Sequence, residues 1–443
     1  MHLTLIQPSV GRKADGSPYP ASWRMEPLGI AMLSSLTPRD IPRTFFDDRL
    51  EAIDYDAPTN LAAITVETYT ARRAYQIADR FRKRGTPVVL GGFHPTACPD
   101  EASAHADAIV MGEAEPVWST LLADAAGGRL QSRYAAERPV LAGLAPDRSI
   151  FGSRPYGLVS LVETSRGCHF QCEFCSISQF YRRRCINRPV EEVVREVQGL
   201  RKPIFFVDDN IGSDPERLRA LCEALLPLNR PWIGQASLHI AQDPALLGLM
   251  RRSGCQGVLV GFESLDPDTL ANMGKSVNLA AHGYSRAIRA FRDHGLSIYA
   301  TFVFGYDQDT PDTFRRVFDF ALRQKFFFTA FNHLVPFPGT PLHDRLAAQG
   351  RLIHPQWWLH PAGCFGEVVY QPAQMSPQQL AGLCESHRRR FYSLPSVARR
   401  ALDLRANCRT PRKALVFLAQ NLLHQREVVR RQGLPFGFSE DCP

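Results

Sequence analysis

Three thiols, Cys168, Cys172 and Cys175, fall inside the eight-residue segment CHFQCEFC. Structural zinc takes four protein ligands, commonly as paired C-x2-C clips. Here one such pair exists, with a third thiol four residues ahead of it. A [4Fe–4S] cube is held by thiolates at its corners, so three thiolates from one loop leave one iron open. An open iron chelates a small molecule that carries an amine and a carboxylate. His169 and Cys185 would complete a zinc site instead, and the spacing alone leaves that alternative standing. Buried core cysteines fit less well, because the loop is polar and follows Gly167.

Such a loop needs a strand ahead of it and a face to open on. Residues 1–126 alternate β-like runs (LTLIQ, TFFDD, AAITV, PVVLGG, AIVMG) with helical segments such as Leu28–Leu36 and Ala71–Arg84. That alternation predicts a doubly wound, Rossmann-like parallel sheet. Ligands of such sheets lie beyond the carboxyl ends of the strands, where Gly91, Gly92 and His94 fall. Residues 127–156 read as a linker rich in Gly, Ala, Pro and Arg. Six further strand candidates between 157 and 352, from LVSLVETSRG to FFTAFNHLVPFPGT, predict a partial (β/α)6 barrel with its chemistry at the carboxyl-end face. The thiol loop follows the first of them. Residues 353–443 read as a helical extension, so the fold class is α/β with a helical carboxy-terminal segment.

Composition agrees with a folded, multidomain chain: 443 residues, 44% hydrophobic and 22% charged. The amino terminus has the wrong order of apolar and basic residues for a secretory signal, and no apolar run is long enough to span a bilayer. Eleven scattered cysteines do not form the framework of a small secreted domain, which implies a reducing, cytoplasmic setting. Net charge is +8, yet from Arg388 to Arg431 twelve Arg or Lys face only Asp403 and Glu427. The basic excess thus sits in the carboxy-terminal segment. There Pro411–Arg431 reads as a helix with Leu415, Leu418, Leu422 and Val429 near one face. Packing of that face on the barrel is the plain expectation. Contact of the basic face with anionic lipid, bringing a lipid substrate to the barrel mouth, is the sharper one. No recognisable RNA-binding module accompanies the basic residues, so nucleic acid is not an expected partner.

The loop resembles the signature of the radical S-adenosylmethionine (SAM) superfamily, with aromatic Phe174 before the last cysteine. The resemblance extends through ETSRGCHFQCEFCSISQFYRRR, RPVEEVVREV, FFVDDNI, GFES and VPFPGTPL, and in the first domain through GGFHPTACPDEA and GEAEPVW. Together these resemble members with an amino-terminal cobalamin-binding domain, among them methylases and cyclases of hopanoid, bacteriochlorophyll and phosphonate metabolism. The resemblance implies that Cys168, Cys172 and Cys175 ligate the cluster and that SAM chelates the open iron. An electron then cleaves a carbon–sulfur bond, usually giving a 5′-deoxyadenosyl radical. Asp208, Asp209 and Asn210 end one barrel strand, and Gly261, Glu263 and Ser264 end another; family positions of this kind reach the SAM amine, carboxylate and ribose. The bland role for Asp209 or Ser213 is to cap the helix entered near Pro215.

The D-x-H-x-x-G segment that supplies a histidine to cobalt in many cobalamin domains is absent; Asp47, Asp48 and Arg49 occupy its expected region. His94 is the candidate pocket residue. With cobalamin, the expected chemistry is methyl transfer to an unactivated carbon or phosphorus of a small-molecule or lipid substrate, with antibiotic biosynthesis one setting. Without it, rearrangement, cyclisation or transfer of the 3-amino-3-carboxypropyl group of SAM is expected. A flavodoxin or ferredoxin would be the reducing partner. A sensor or electron carrier is the non-enzymatic alternative, but neither needs an open iron. Cys98, Cys185, Cys255, Cys364, Cys384 and Cys408 receive no role.

Overall fold

Six parallel strands make the first sheet: β1 (Leu3–Gln7), β2 (Arg43–Asp47), β3 (Leu61–Thr65), β4 (Val88–Gly91), β5 (Ala108–Met111) and β6 (Arg133–Ala135), in the order β2-β1-β3-β4-β5-β6. The molecule is seen in a computed structural model that describes residues 1–13, 15–19, 24–136, 140–279, 283–430 and 432–438. Side chains alternate across a strand, and both faces of this sheet are apolar. Ile6, Ala62, Ile64 and Leu90 pack on the helix Ala71–Lys83 through Ala74, Ile77, Ala78 and Phe81. Leu5, Phe45, Ala63 and Val110 pack on the opposite side against Ile30 and Ala31 of the helix Leu28–Leu36 and Trp118 and Leu121 of the helix Trp118–Ala126. Strand order reverses between β1 and β3, which puts a ligand crevice at their carboxyl ends.

The span read as a linker is partly structured. β6 pairs with β5, and Phe151 packs on Phe45 with ring centroids 6.3 Å apart. The first sheet therefore runs past residue 126. Three residues with alternating exposure carry too short a pattern to read as a strand.

The second sheet is β7 (Ser160–Val162), β10 (Ile204–Phe206), β11 (Trp232–Gln235), β12 (Cys255–Glu263), β13 (Ser297–Phe304) and β14 (Phe328–His333), all parallel and in sequential order. This is the partial six-stranded barrel. Between β7 and β10 lies an antiparallel ladder of β8 (Ser165–Gly167) and β9 (Cys185–Asn187). Barrel helices start on a repeated device. Asp214, Asp243 and Asp266 each accept the third amide of the helix that follows, and Pro215, Pro244 and Pro267 fill the first helical position. A carboxylate cap and a proline whose missing N–H is no loss there set each helix start. Asp214, not Asp209 or Ser213, is the cap of the helix Pro215–Leu225.

Carboxy-terminal residues return to both domains. Trp357, Trp358 and Phe436 are buried in the apolar cluster of the first sheet, and the Gly437 amide donates to the Val10 carbonyl at 2.8 Å. The helix Pro411–Arg430 sits at the amino ends of the barrel strands: Lys413 Nζ donates to the carbonyls of Gln256 (3.2 Å) and Gly295 (2.8 Å). The helix packs on the barrel as expected, but at the end opposite the mouth, away from where the sharper expectation would bring a lipid substrate. The face with Leu415, Leu418 and Leu422 is exposed, while Phe417 and Asn421 are turned inward. Arg431 and the side chain of Val429 lie outside the described residues. Among the described residues no helix is long and apolar enough to cross a membrane.

Candidate active site at the domain junction

β8 delivers Cys168 at the carboxyl-end face of the barrel, and the short helix Ser176–Phe180 begins just after Cys175. Gly167 has φ +88°, and a Cβ there would lie 2.0 Å from the Arg184 carbonyl oxygen, so the ladder closes only with glycine. The loop is tied at several points. The Glu173 amide donates to the Met273 carbonyl (3.0 Å), Ser178 Oγ to the Phe170 carbonyl (2.8 Å), and Arg345 to Glu173 (2.8 Å). Phe174 packs at the edge of the barrel core.

Each thiol meets a distinct environment. Burial pushes Cys172 up to about 11, opposed by the charge of Lys275. Burial also raises Cys175, opposed by the amides of Ser178 and Ile177, which hydrogen-bond to the sulfur and favour its thiolate. Asn210 Nδ2 approaches Cys168 Sγ at 3.9 Å. A single zinc ion with Zn–S of about 2.3 Å would draw its sulfurs to roughly 3.8 Å from one another. Among the described residues, His94, Cys98 and Glu101 gather their ligand atoms closely enough to hold a metal ion.

The Asp208–Asn210 triplet braces this loop. Asp208 is buried and accepts bonds from the Thr164 amide (2.7 Å), Thr164 Oγ1 (2.5 Å) and Ser165 Oγ (2.7 Å), fixing the turn from β7 to β8. Asp209 accepts from the Gly167 amide at 2.7 Å, and burial raises it to about 6. Asn210 exchanges bonds with Ser237 through its Oδ1 (3.2 Å) and Nδ2 (3.1 Å). The Asp208 carboxylate is thus bonded within the chain through both oxygens, and the Asp209 carboxylate through Oδ2.

Glu263 is different. It has φ +62°, uncommon for a residue with a side chain, at an irregularity where β12 slips against β13. Gly261 leaves room for the Glu263 carboxylate: a Cβ there would lie 2.1 Å from Glu263 Oε1. The Glu263 carboxylate pairs with Lys275 Nζ at 3.3 Å, and both are buried. Ser264, also buried, accepts the Asp266 amide (3.1 Å). Lys275 escaped the sequence reading, where MGKS carries no distinctive spacing.

A second network joins the domains. Arg166 pairs with Glu113, with Glu115 (2.7 Å) and with Glu163 (2.8 Å), all largely buried. Burial raises Glu163 to about 7, opposed by Arg166, and raises Glu113 in the same direction. GEAE and SRGC were visible as motifs, but some 50 residues separate the partners, so no local pattern announces the pairing.

Between the domains lies a cavity of about 1130 Å³. Thr68, Phe93 and Gly112 at the carboxyl ends of the first sheet line one wall, and Ile177, Phe180 and Tyr181 of the cysteine segment line another. A smaller cavity of about 260 Å³ adjoins it, reached past Gly91, Gly92 and Phe93 toward the helix Leu28–Leu36. His94 lines neither cavity: it is buried, its Nε2 2.9 Å from Glu101. Glu101 also accepts bonds from Tyr75, Trp358 and Gln356, so the His94–Cys98–Glu101 group is an internal bonding hub. Asp47 and Asp48 are likewise engaged, with Arg49 and Tyr156 and with Arg12, Arg73 and Ser9 respectively.

The Radical SAM superfamily model matches residues 162–321. Over 347 residues the chain is 33% identical to bacteriochlorophyllide d C-12(1)-methyltransferase of Chlorobaculum tepidum, covering 75% of each chain. The chain belongs to the radical SAM superfamily. The bacteriochlorophyllide d C-8(2)-methyltransferase of the same organism is 32% identical, over 74% of this chain and 78% of the relative. The fold matches a solved structure of the radical SAM methyltransferase TsrM from Kitasatospora setae with cobalamin and a [4Fe–4S] cluster bound: TM-score 0.65 at 17% identity, over 88% of this chain and 85% of that one. This radical SAM protein is therefore a methyltransferase-like enzyme, and the superfamily's cofactors are a [4Fe–4S] cluster and SAM.

Proposed function

We propose that this enzyme transfers a methyl group to an unactivated carbon or phosphorus centre of a small molecule, with cobalamin held between its domains. The observation that carries the reading is the shared cavity, which brings the ligand edge of the first sheet and the cysteine segment to one chamber. When bound, the cluster supplies the electron that cleaves SAM, and cobalamin supplies a carrier for the methyl group.

Cys168, Cys172 and Cys175 hold the cluster, and Asp209 and Asn210 hold the loop in register for it. Glu263 offers its carboxylate to the SAM amine, in exchange for or together with Lys275. Phe93, Ile177, Phe180 and Phe337 give the chamber apolar wall on both sides, against which substrate would be held. Gly112, just beyond β5, lines the larger cavity, where a large planar ligand would lie. The first domain offers cobalt no histidine from a D-x-H-x-x-G segment, and Asp47 and Asp48 in its expected region are held in internal ion pairs. That observation also favours a second reading, in which the chamber takes no cobalamin and the enzyme catalyses a rearrangement or transfers another fragment of SAM. A low-potential donor of the flavodoxin or ferredoxin kind serves either reading.

Reduced, anaerobic, cluster-loaded enzyme should release 5′-deoxyadenosine from SAM, and Cys172→Ala should abolish that release while the protein stays folded by circular dichroism. Undiminished release by the variant would remove the cluster from this loop.

A further inference from the structure

The helix Pro411–Arg430 is built inside out. Its inward side carries Lys413, bonded to backbone carbonyls, together with Phe417 and Asn421, both fully buried. Asn421 is fixed by Arg400, itself buried, which donates to the carbonyls of Phe326 (3.1 Å) and Phe327 (2.9 Å) ahead of β14. Polar anchors thus hold the helix to the barrel, and leucines are left over. Leu415 (69% exposed), Val416, Leu418, Leu422 and Leu423 face outward. Leu402 (68%) and Leu404 (72%), on the segment that follows the helix Leu394–Ala401, are exposed as well. Monomeric proteins rarely leave a helix face with this many apolar side chains uncovered.

Charge selects what covers it. Arg399, Arg405, Arg409 and Arg412 are exposed around the leucines. Between Leu394 and Gln425 the single carboxylate is Asp403, which is buried and bonded by Arg292 at 3.0 Å. Arg405 reaches out to Asp293 of a neighbouring helix, and the other three arginines keep the surface basic. A second copy of the chain would set this patch against itself in a two-fold contact, basic against basic. An anionic bilayer matches it: leucines enter the acyl boundary and arginines meet lipid phosphates.

We propose that this face is a peripheral membrane-docking surface for bilayers rich in anionic phospholipid. It lies at the amino ends of β12–β14, away from the cysteine loop at their carboxyl ends. Docking therefore turns the mouth of the barrel toward water, and substrate enters from the aqueous side.

The test is co-sedimentation of the full chain with vesicles of phosphatidylcholine alone or mixed with phosphatidylglycerol. Binding should strengthen at least about tenfold with the anionic lipid and fall in high salt. The triple variant Leu415→Gln, Leu418→Gln, Leu422→Gln should lose about tenfold or more in affinity with its circular dichroism unchanged. Equal binding by that variant, or no preference for anionic vesicles, would overturn the proposal. So would a dimer in sedimentation velocity that the same substitutions dissociate, because the face would then be a self-interface.

Discussion

At the scale of single residues, the site depends on side chains whose charges are buried in pairs. Lys275 and Glu263 lie 3.3 Å apart beside the cysteine loop. Removing one partner of a buried pair strands the other, at a cost of about 3–5 kcal/mol. Lys275→Met should therefore lower the denaturation midpoint sharply, and adding Glu263→Gln should restore part of the loss. An additive double variant would show that the two groups do not interact. Gly167 gives a steric counterpart: Gly167→Ala must move the Arg184 carbonyl or abandon φ +88°. About 1–3 kcal/mol of destabilisation and reduced iron uptake on reconstitution are expected, measured by denaturant titration and iron assay. The cysteine loop stood out in the sequence because its three thiols are close in local spacing. Asp208 and Asp209 stood out by position, and the fold adds that their carboxylates brace Thr164 and Gly167, partners that only three dimensions reveal.

At the scale of elements, strand-by-strand alternation was legible, and so were the parallel sheets it implies. Helix starts were written in Asp-Pro pairs, although Asp214 was passed over for its neighbours. What the pattern could not tell is which stripe of a helix faces inward. In Pro411–Arg430 the apolar stripe points out, because Lys413, Asn421 and Arg400 find backbone and side-chain partners at the barrel's amino end. Two substitutions on adjacent residues separate the faces. Phe417→Ala should cost about 3–5 kcal/mol, whereas Leu418→Gln should stay within about 0.5 kcal/mol of the parent, both read from denaturant midpoints. Equal effects would mean that the helix is rotated.

At the scale of the whole molecule, three carboxylates share Arg166 across the domain junction. Glu163, raised by burial to about 7, binds its proton more tightly folded than unfolded. Its stabilising protonation is complete below the ordinary carboxylate range and is lost as pH rises through about 7. Stability should thus fall by about 1 kcal/mol for this one group between pH 6 and 8, and Glu163→Gln should flatten that fall in a pH series of denaturation midpoints. The junction itself was beyond sequence reading, because Glu113, Arg166 and the returning Trp357 and Phe436 meet only through the fold.

The chamber that this junction encloses carries the central claim, and metal content tests it most directly. The protein should be reconstituted anaerobically with iron, sulfide and hydroxocobalamin, desalted, and counted for both metals. About four irons, as a three-thiolate cube implies, together with one cobalt per chain is the predicted result. Four irons with no retained cobalt would contradict a cobalamin-dependent methyl transfer and leave the first domain a scaffold for other SAM chemistry.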